Sequence, residues 1–251
     1  HPVGQIAFGT DLHGPQNGQV DLAAANHGKT VMAAEDGGSC DGGHRLLARI
    51  DPVSIDMLFG AGKDDVAAYA AALPLDHEPG TFWSYSSGTT NIVARIVGDA
   101  VGGGSAGMES FLRDRLFNPA GMHSAVPKFD AAGTFVGSSF VYATARDFAT
   151  FGELYRCDGV TAEGARVLPS GWSDHARVQS ALDEESGFAY GAHWWSWPDL
   201  PGSMACHGYE GQYTLVVPDR ELVVVHLGKV AADDRPIVNE ALRRIVATAT
   251  I

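Results

Sequence analysis

Apolar positions recur at helical spacing in six stretches of the chain and alternate in four others. From Asn91 the residues Ile92, Val93, Ile96, Val97 and Ala100 keep a helical period until Gly102-Gly103-Gly104 stops it, which predicts a helix over 91–101. Weaker versions of the pattern predict helices over 65–72, 108–117 and 170–178. Residues 145–156 carry Phe148, Phe151, Leu154 and Tyr155 as one stripe behind Thr144, a plausible N-cap worth about 1 kcal/mol, and Asp147 adds negative charge in the first turn. A last helix over 236–248 opens with Pro236 behind Asp233-Asp234 and is read as turning Ile237, Val238, Leu242, Ile245 and Val246 inward.

The β-rich runs are 189–197, 203–207, 212–217 and 221–227, and the last two flank a Pro218-Asp-Arg turn, which makes them an antiparallel hairpin. Alternation in His193-Trp-Trp-Ser-Trp197 puts Trp195 and Trp197 on one sheet face and Trp194 on the other. One face is read as lining a ligand pocket and the other as packing on a helix. The plainer account makes all of them, with Trp172, core or lobe-interface aromatics. Helices in the middle and strands towards the end predict an α+β fold, a helical lobe packed beside an antiparallel sheet with flanking helices. Residues 1–55 form an atypical N-terminal segment, irregular or β-containing; the helical lobe runs over 60–185 and the strands and final helix over 186–251.

Chemistry enters between His77 and Asn91, where a Pro79-Gly80 turn and a Trp83-x-Tyr85-x-Ser87 step run into the helix. Tyr85 therefore sits on a loop at a helix entrance, where site residues concentrate. The plainer account makes Trp83 and Tyr85 two buried aromatics anchoring the loop. A second block, Met204 to Asp219, carries Cys206-His207-Gly208-Tyr209 and Gly211-Gln212 between β-rich runs.

These blocks, with Phe111 to Met122 and Ala143 to Leu154 in matching order, resemble the serine hydrolases related to penicillin-binding proteins, class C β-lactamases, their esterase relatives and the 6-aminohexanoate-dimer hydrolases. The resemblance covers about residues 55–250. It implies that family's two lobes, with the site between them and residues 56–251 as the matching region. In the family a Pro-Gly-x-x-x-x-Tyr-x-Asn/Ser block supplies a tyrosine base, and a Lys/His-Thr-Gly-like block lies on a strand lining the site. The first is matched by Pro79-Gly80 to Tyr85-Ser86-Ser87 and the second by Cys206-His207-Gly208. The resemblance thus implies Tyr85 and His207 as catalytic residues, and Ser87, Gly208, Tyr209, Gly211, Gln212 and Trp195 as substrate-binding residues. A strand N–H near Tyr209 or Gly211 would serve the oxyanion. It implies acyl transfer and hydrolysis of an ester or small amide, with no cofactor and no metal.

A phenol titrates near pH 10, so Tyr85 acts as a base near neutrality only if cations or donors favour its phenolate. By motif the nearest candidate is His207, which donates to Tyr85 or to a substrate carboxylate and becomes cationic below about pH 6.5. The plainer account makes it a histidine at a hairpin end.

The family's nucleophile is the serine of a Ser-x-x-Lys motif, and this chain has none. Its lysines are Lys29, Lys63, Lys128 and Lys229, preceded at three places by Asn26, Gly60, Ala125 and His226. Ser110-Phe-Leu-Arg113 is no substitute, because a guanidinium does not give up its proton in a protein. Gly103-Gly-Ser105-Ala-Gly107 matches a nucleophile elbow in letters but follows a predicted helix rather than a strand. Gly60-Ala-Gly-Lys63 lacks the partners of a phosphate loop. Three readings are open: the catalytic N-terminal part is lost or replaced, the sequence is incomplete or altered at its start, or the protein is an inactive binding protein that keeps the cleft.

Composition narrows the partners. With 45% hydrophobic and 19% charged residues in 251, the chain reads as globular and able to bury a real core. A net charge of −13 argues against nucleic acid. No run approaches a membrane span and no basic-then-apolar leader opens the chain, so a soluble protein is expected, in cytoplasm or periplasm. Cys40, Cys157 and Cys206 lie far apart and define no disulfide framework. Cys206 alone adjoins the proposed site as a conceivable nucleophile. His13, His27, His44, Cys40 and Asp41 fit no zinc spacing.

Overall fold

The computed structural model describes the backbone of residues 3–6 and then residues 52–184 and 186–249. The candidate metal residues His13, His27, Cys40, Asp41 and His44 lie outside the described residues.

Helices α1 (Pro52–Phe59), α2 (Val66–Ala72), α3 (Ser87–Val101) and α4 (Gly104–Leu112) form the first part of the helical region. The helical pattern did not reveal α1, because Met57 is its one buried residue and no inward stripe exists to read. Asp65 caps α2 by accepting from the Ala68 N–H at 3.0 Å. Helix α3 begins at Ser87 rather than Asn91, since Ser86 accepts from the Thr89 N–H at 3.1 Å and starts the helix with polar residues. Helix α4 begins at Gly104 and runs through a π-helical stretch, Arg113–Phe117, into α5 (Asn118–Ala120). Ser105 lies exposed in the first turn of α4, after a helix, so no strand presents it as a nucleophile elbow would.

Strands β1 (Val3–Ile6), β2 (Val126–Pro127) and β3 (Val141–Thr144) pair antiparallel in the order β1-β3-β2. Helix α6 (Ala145–Arg156) follows β3, and its Thr144 cap accepts from the Asp147 N–H at 3.3 Å. Asp147 is itself buried and receives both the N–H and the hydroxyl of Ser124 at 2.7 Å, which ties the helix entrance to the turn before β2. After α7 (Trp172–Arg177) comes the main sheet, a six-stranded antiparallel meander of β4 (Ala181–Leu182), β5 (Ala189–Tyr190), β6 (Trp195–Ser196), β7 (Met204–Gly208), β8 (Gln212–Val217) and β9 (Leu222–His226). Helix α8 (Arg235–Thr248) follows.

Helix α6 covers one face of this sheet. Gly152 permits the approach: a Cβ there would lie 2.7 Å from Val223 Cγ1 and 3.1 Å from the Cγ2 atoms of Thr214 and Val216. Phe148, Phe151, Leu154, Trp194, Met204 and Val216 share the core on that side. Leu242 and Val246 of α8 cover the opposite face, against Trp197, Ala205, Tyr213, Leu215 and Val217. The tryptophan alternation holds, with Trp194 stacked on Phe151 at 5.8 Å and Trp195 and Trp197 in the other cluster.

Two expectations are corrected. The single strand over 189–197 is a tight hairpin: Tyr190 pairs with Trp195 around a turn in which His193 takes φ +61°. The chain turns there because Gly191 packs on the Ala176 carbonyl, where a Cβ would come within 2.2 Å, and its N–H closes the turn on Trp194 O at 2.8 Å. In α8, Ile237 is 67% and Ile245 46% exposed instead of inward. The inward row is Val238, Leu242 and Val246, four residues apart, and the two isoleucines fall to its side.

Candidate active site

The loop that carries Tyr85 docks on the β5–β6 hairpin through aromatic rings. Trp83 lies on Tyr190 at 5.5 Å and edge-on to Trp195 at 6.4 Å; Tyr85 lies on Trp195 at 5.1 Å and edge-on to Tyr190 at 5.7 Å. The plainer reading, two buried aromatics, does not hold for Tyr85, which is 44% exposed; Trp83 is half-buried and anchors the loop. The docking leaves a pocket, open to solvent, between loop, hairpin and sheet. Tyr85, Ser86, Ser87 and Thr90 form one wall with Ser138. Tyr190, His193 and Trp195 of the hairpin form a second, and Cys206 and His207 of β7 a third.

Of the residues expected from sequence, Tyr85, Ser87, Trp195 and His207 line this pocket. Gly208, Tyr209, Gly211 and Gln212 are not among its lining residues; they end β7, turn, and begin β8, with Gly208 paired to Gln212. The turn is firmly braced. His226 Nδ1 donates to Gly211 O at 2.9 Å, the Val230 N–H donates to Glu210 O at 2.8 Å, and Lys229 pairs with Glu210 at 3.0 Å. Gly211 has φ +81°, and a Cβ on it would press on Val230 Cβ at 3.1 Å, so its glycine is a structural need of the turn.

Sequence reasoning missed Thr90, Ser138, Tyr190 and His193. Ser138 is placed by Asn91, which is fully buried in α3 and donates from Nδ2 to Ser138 Oγ at 3.1 Å. A buried amide in an otherwise apolar helix row was the available signal, because such a group must find a partner.

The electrostatics of the pocket favour neutral groups. Desolvation of the Tyr85 hydroxyl, with Cys206 nearby, pushes its pKa up to about 12. It therefore faces a ligand as a hydroxyl donor. Burial also holds the Cys206 thiol well above its ordinary value, so it is not a ready thiolate. Burial lowers His193 to about 4.

His207 is set by its neighbours. Its ring stacks on Trp195 at 5.3 Å and meets Phe188 and Tyr213 edge-on at 4.9 and 5.1 Å. The Trp197 indole N–H donates to His207 Nε2 at 3.0 Å. An indole only donates, so Nε2 accepts and the ring proton resides on Nδ1. Burial and the nearby Arg235 guanidinium lower the pKa of His207 to about 3, in agreement with that tautomer. Cationic His207, one of the two states open from sequence, is thus disfavoured, and no hydrogen bond joins it to Tyr85.

The family model described as Beta-lactamase matches residues 41–247, most of the chain. The chain belongs to the β-lactamase family. Its members of penicillin-binding-protein and class C type are serine hydrolases, as the order of the two motifs implied. This β-lactamase-family chain is 29% identical over 227 residues to penicillin-binding protein 4 of Amycolatopsis lactamdurans, covering 73% of itself but only 58% of that protein. Its fold is similar to that of a Bacillus anthracis protein classed as a 6-aminohexanoate-dimer hydrolase (TM-score 0.62, 22% identity, 72% of this chain and 48% of that one). It is also similar to that of a mutant simvastatin synthase from Aspergillus terreus (TM-score 0.58, 15% identity, 97% and 74%). The β-lactamase-like α+β architecture predicted from sequence is the observed one. Among the described residues no group of His, Cys, Asp or Glu is arranged to hold a metal ion, and no helix is long and apolar enough to cross a membrane.

Proposed function

We propose that this chain carries the tyrosine and histidine side of an acyl-transfer site that hydrolyses an ester or small amide. The observation that supports it is the convergence of Tyr85 and Ser87 from one motif and His207 from the other on a single aromatic-walled pocket. In this reading Tyr85, holding its proton, donates to the carbonyl oxygen or protonates the leaving group, and His207 donates its Nδ1–H to the acyl group. Tyr85 becomes a base only when a cation stands beside it, because the pocket by itself favours the neutral phenol.

A second reading, a binding protein without its own nucleophile, is favoured by the absence of Ser-x-x-Lys from the chain. A fluorophosphonate probe with intact-mass readout separates the two. A stoichiometric serine adduct supports acyl transfer, and peptide mapping then locates the nucleophile. A folded, monodisperse sample that takes up no probe supports the second reading.

A further inference from the structure

This inference rests on the reading above, that the pocket receives an acyl ligand, and specifies which kind. The pocket walls are built from hydroxyls, aromatic rings, a thiol and two imidazoles, and among the described residues no Lys, Arg, Asp or Glu lines them. The imidazole on β7 has a structural reason to stay neutral: an imidazolium would turn an N–H from Nε2 onto the Trp197 N–H, donor against donor, at 3.0 Å. Trp197 has little freedom to move aside. It is fully buried, and Arg243 of α8, paired with Asp199, lies 4.8 Å over its ring.

Among the described residues, a ligand thus meets donors without a counter-charge. A carbonyl oxygen needs only a donor. A carboxylate needs its charge compensated once water is stripped from it, and an uncompensated one loses at least about tenfold in affinity, or 1.4 kcal/mol.

We propose that the pocket selects uncharged acyl compounds, esters or amides whose carbonyl accepts from His207 Nδ1–H, against the corresponding carboxylates, and that Trp197 is the positioning residue that keeps His207 a neutral donor. The groups around His207 act in the same direction. Tyr213 of β8, Phe188 and Trp195 offer rings, Cys206 on its own strand is a protonated thiol, and Arg235 of α8 opposes a second positive charge. Arg235 does not line the pocket; its Cγ lies 3.7 Å from where a Cβ on Gly211 would stand, beside the 209–211 turn.

The test is equilibrium binding of methyl phenylacetate and of phenylacetate, which differ in charge at the carboxyl, followed by tryptophan fluorescence from about pH 5.5 to about pH 8. The ester is expected to bind at least about tenfold more tightly, by a ratio that stays flat with pH. Nitrogen-15 NMR of the histidine rings is expected to report the Nδ1–H tautomer of His207 across the same range. Trp197→Phe, which keeps a ring but removes the donor to Nε2, is expected to let His207 populate the Nε2–H tautomer and to weaken ester binding severalfold, while burial and Arg235 keep the ring neutral. If that variant does not fold, the wild-type ratio and ring shifts decide alone.

Equal or tighter binding of phenylacetate, a gain in its affinity towards low pH, or no binding of either compound overturns the inference. A chain that hydrolyses esters yet binds the acid better overturns the selectivity and leaves the acyl-transfer reading standing. A chain that prefers the ester but takes up no fluorophosphonate does the reverse.

Discussion

Trp197 donates its indole N–H to Nε2 of His207 at 3.0 Å, while Arg243 of α8 lies over the same indole ring at 4.8 Å. Trp197 thereby fixes the ring proton of His207 on Nδ1, and α8 covers the indole that does so. The pair also explains why the imidazole on β7 differs from an ordinary surface histidine.

The first prediction concerns acid stability. An unperturbed histidine titrates near 6.5, whereas folded His207 is held at about 3 and His193 at about 4. The unfolded chain therefore binds protons that the folded chain refuses. The stabilisation is complete above about pH 6.5 and is lost as pH falls from there towards about 4, by at most about 1.4 kcal/mol per pH unit for each histidine and less where pocket water screens the charge. Urea midpoints measured at pH 7 and pH 5 check this, and His207→Gln is expected to reduce the difference by about half, leaving the share of His193. Equal midpoints for the wild type would count against the burial of both rings.

Tyr85→Phe removes the pocket's phenolic hydroxyl while leaving the ring on Trp195 and Tyr190. Ester hydrolysis is expected to fall by about a hundredfold or more, the usual share of a positioned proton donor, with the fold unchanged by circular dichroism. Unchanged kcat/KM would remove Tyr85 from the chemistry.

Gly152→Ala places a methyl 2.7 Å from Val223 Cγ1, beneath the crossing of α6 over β8 and β9. Overpacking of this kind costs about 1–3 kcal/mol, so a lowered Tm is expected. Gly164→Ala is a poor control because of its φ of +85°; Gly98→Ala, in α3 with open space around it, is a sound one and is expected to be neutral or stabilising.

Asp147→Ala strips both Ser124 hydrogen bonds at 2.7 Å, each of them made to a buried carboxylate. A loss of about 1–3 kcal/mol is expected in chemical denaturation. Thr144→Ala, which removes the cap of the same helix, is expected to cost about 1 kcal/mol.

What could be read from the chain in advance follows from where the information is local. Helix α6 was legible because its cap, first-turn acid and apolar stripe all fall within its own turns. The sides taken by Trp194, Trp195 and Trp197 were legible from alternation alone. The β5–β6 hairpin was not, since Gly191-Ala-His193 carries no standard turn pair and the turn exists because α7 presents the Ala176 carbonyl. In the pocket, Tyr85 and His207 were found through their motifs. Ser138 and His193 were not, because what brings them there is a buried amide on α3 and a left-handed turn residue, neither of which marks its neighbours in sequence.

The neighbouring placement of Trp194 and Trp195 makes this site sensitive to strand alignment. Trp194 belongs to the core under α6 and Trp195 to the pocket wall, so a slip of β6 by one residue exchanges their duties. A mispaired sheet would lose its anchor on the helix and its ligand cleft in the same event. Folding errors in this strand therefore produce a chain that is both loose and blind to ligand, rather than a stable impostor that binds the wrong molecule.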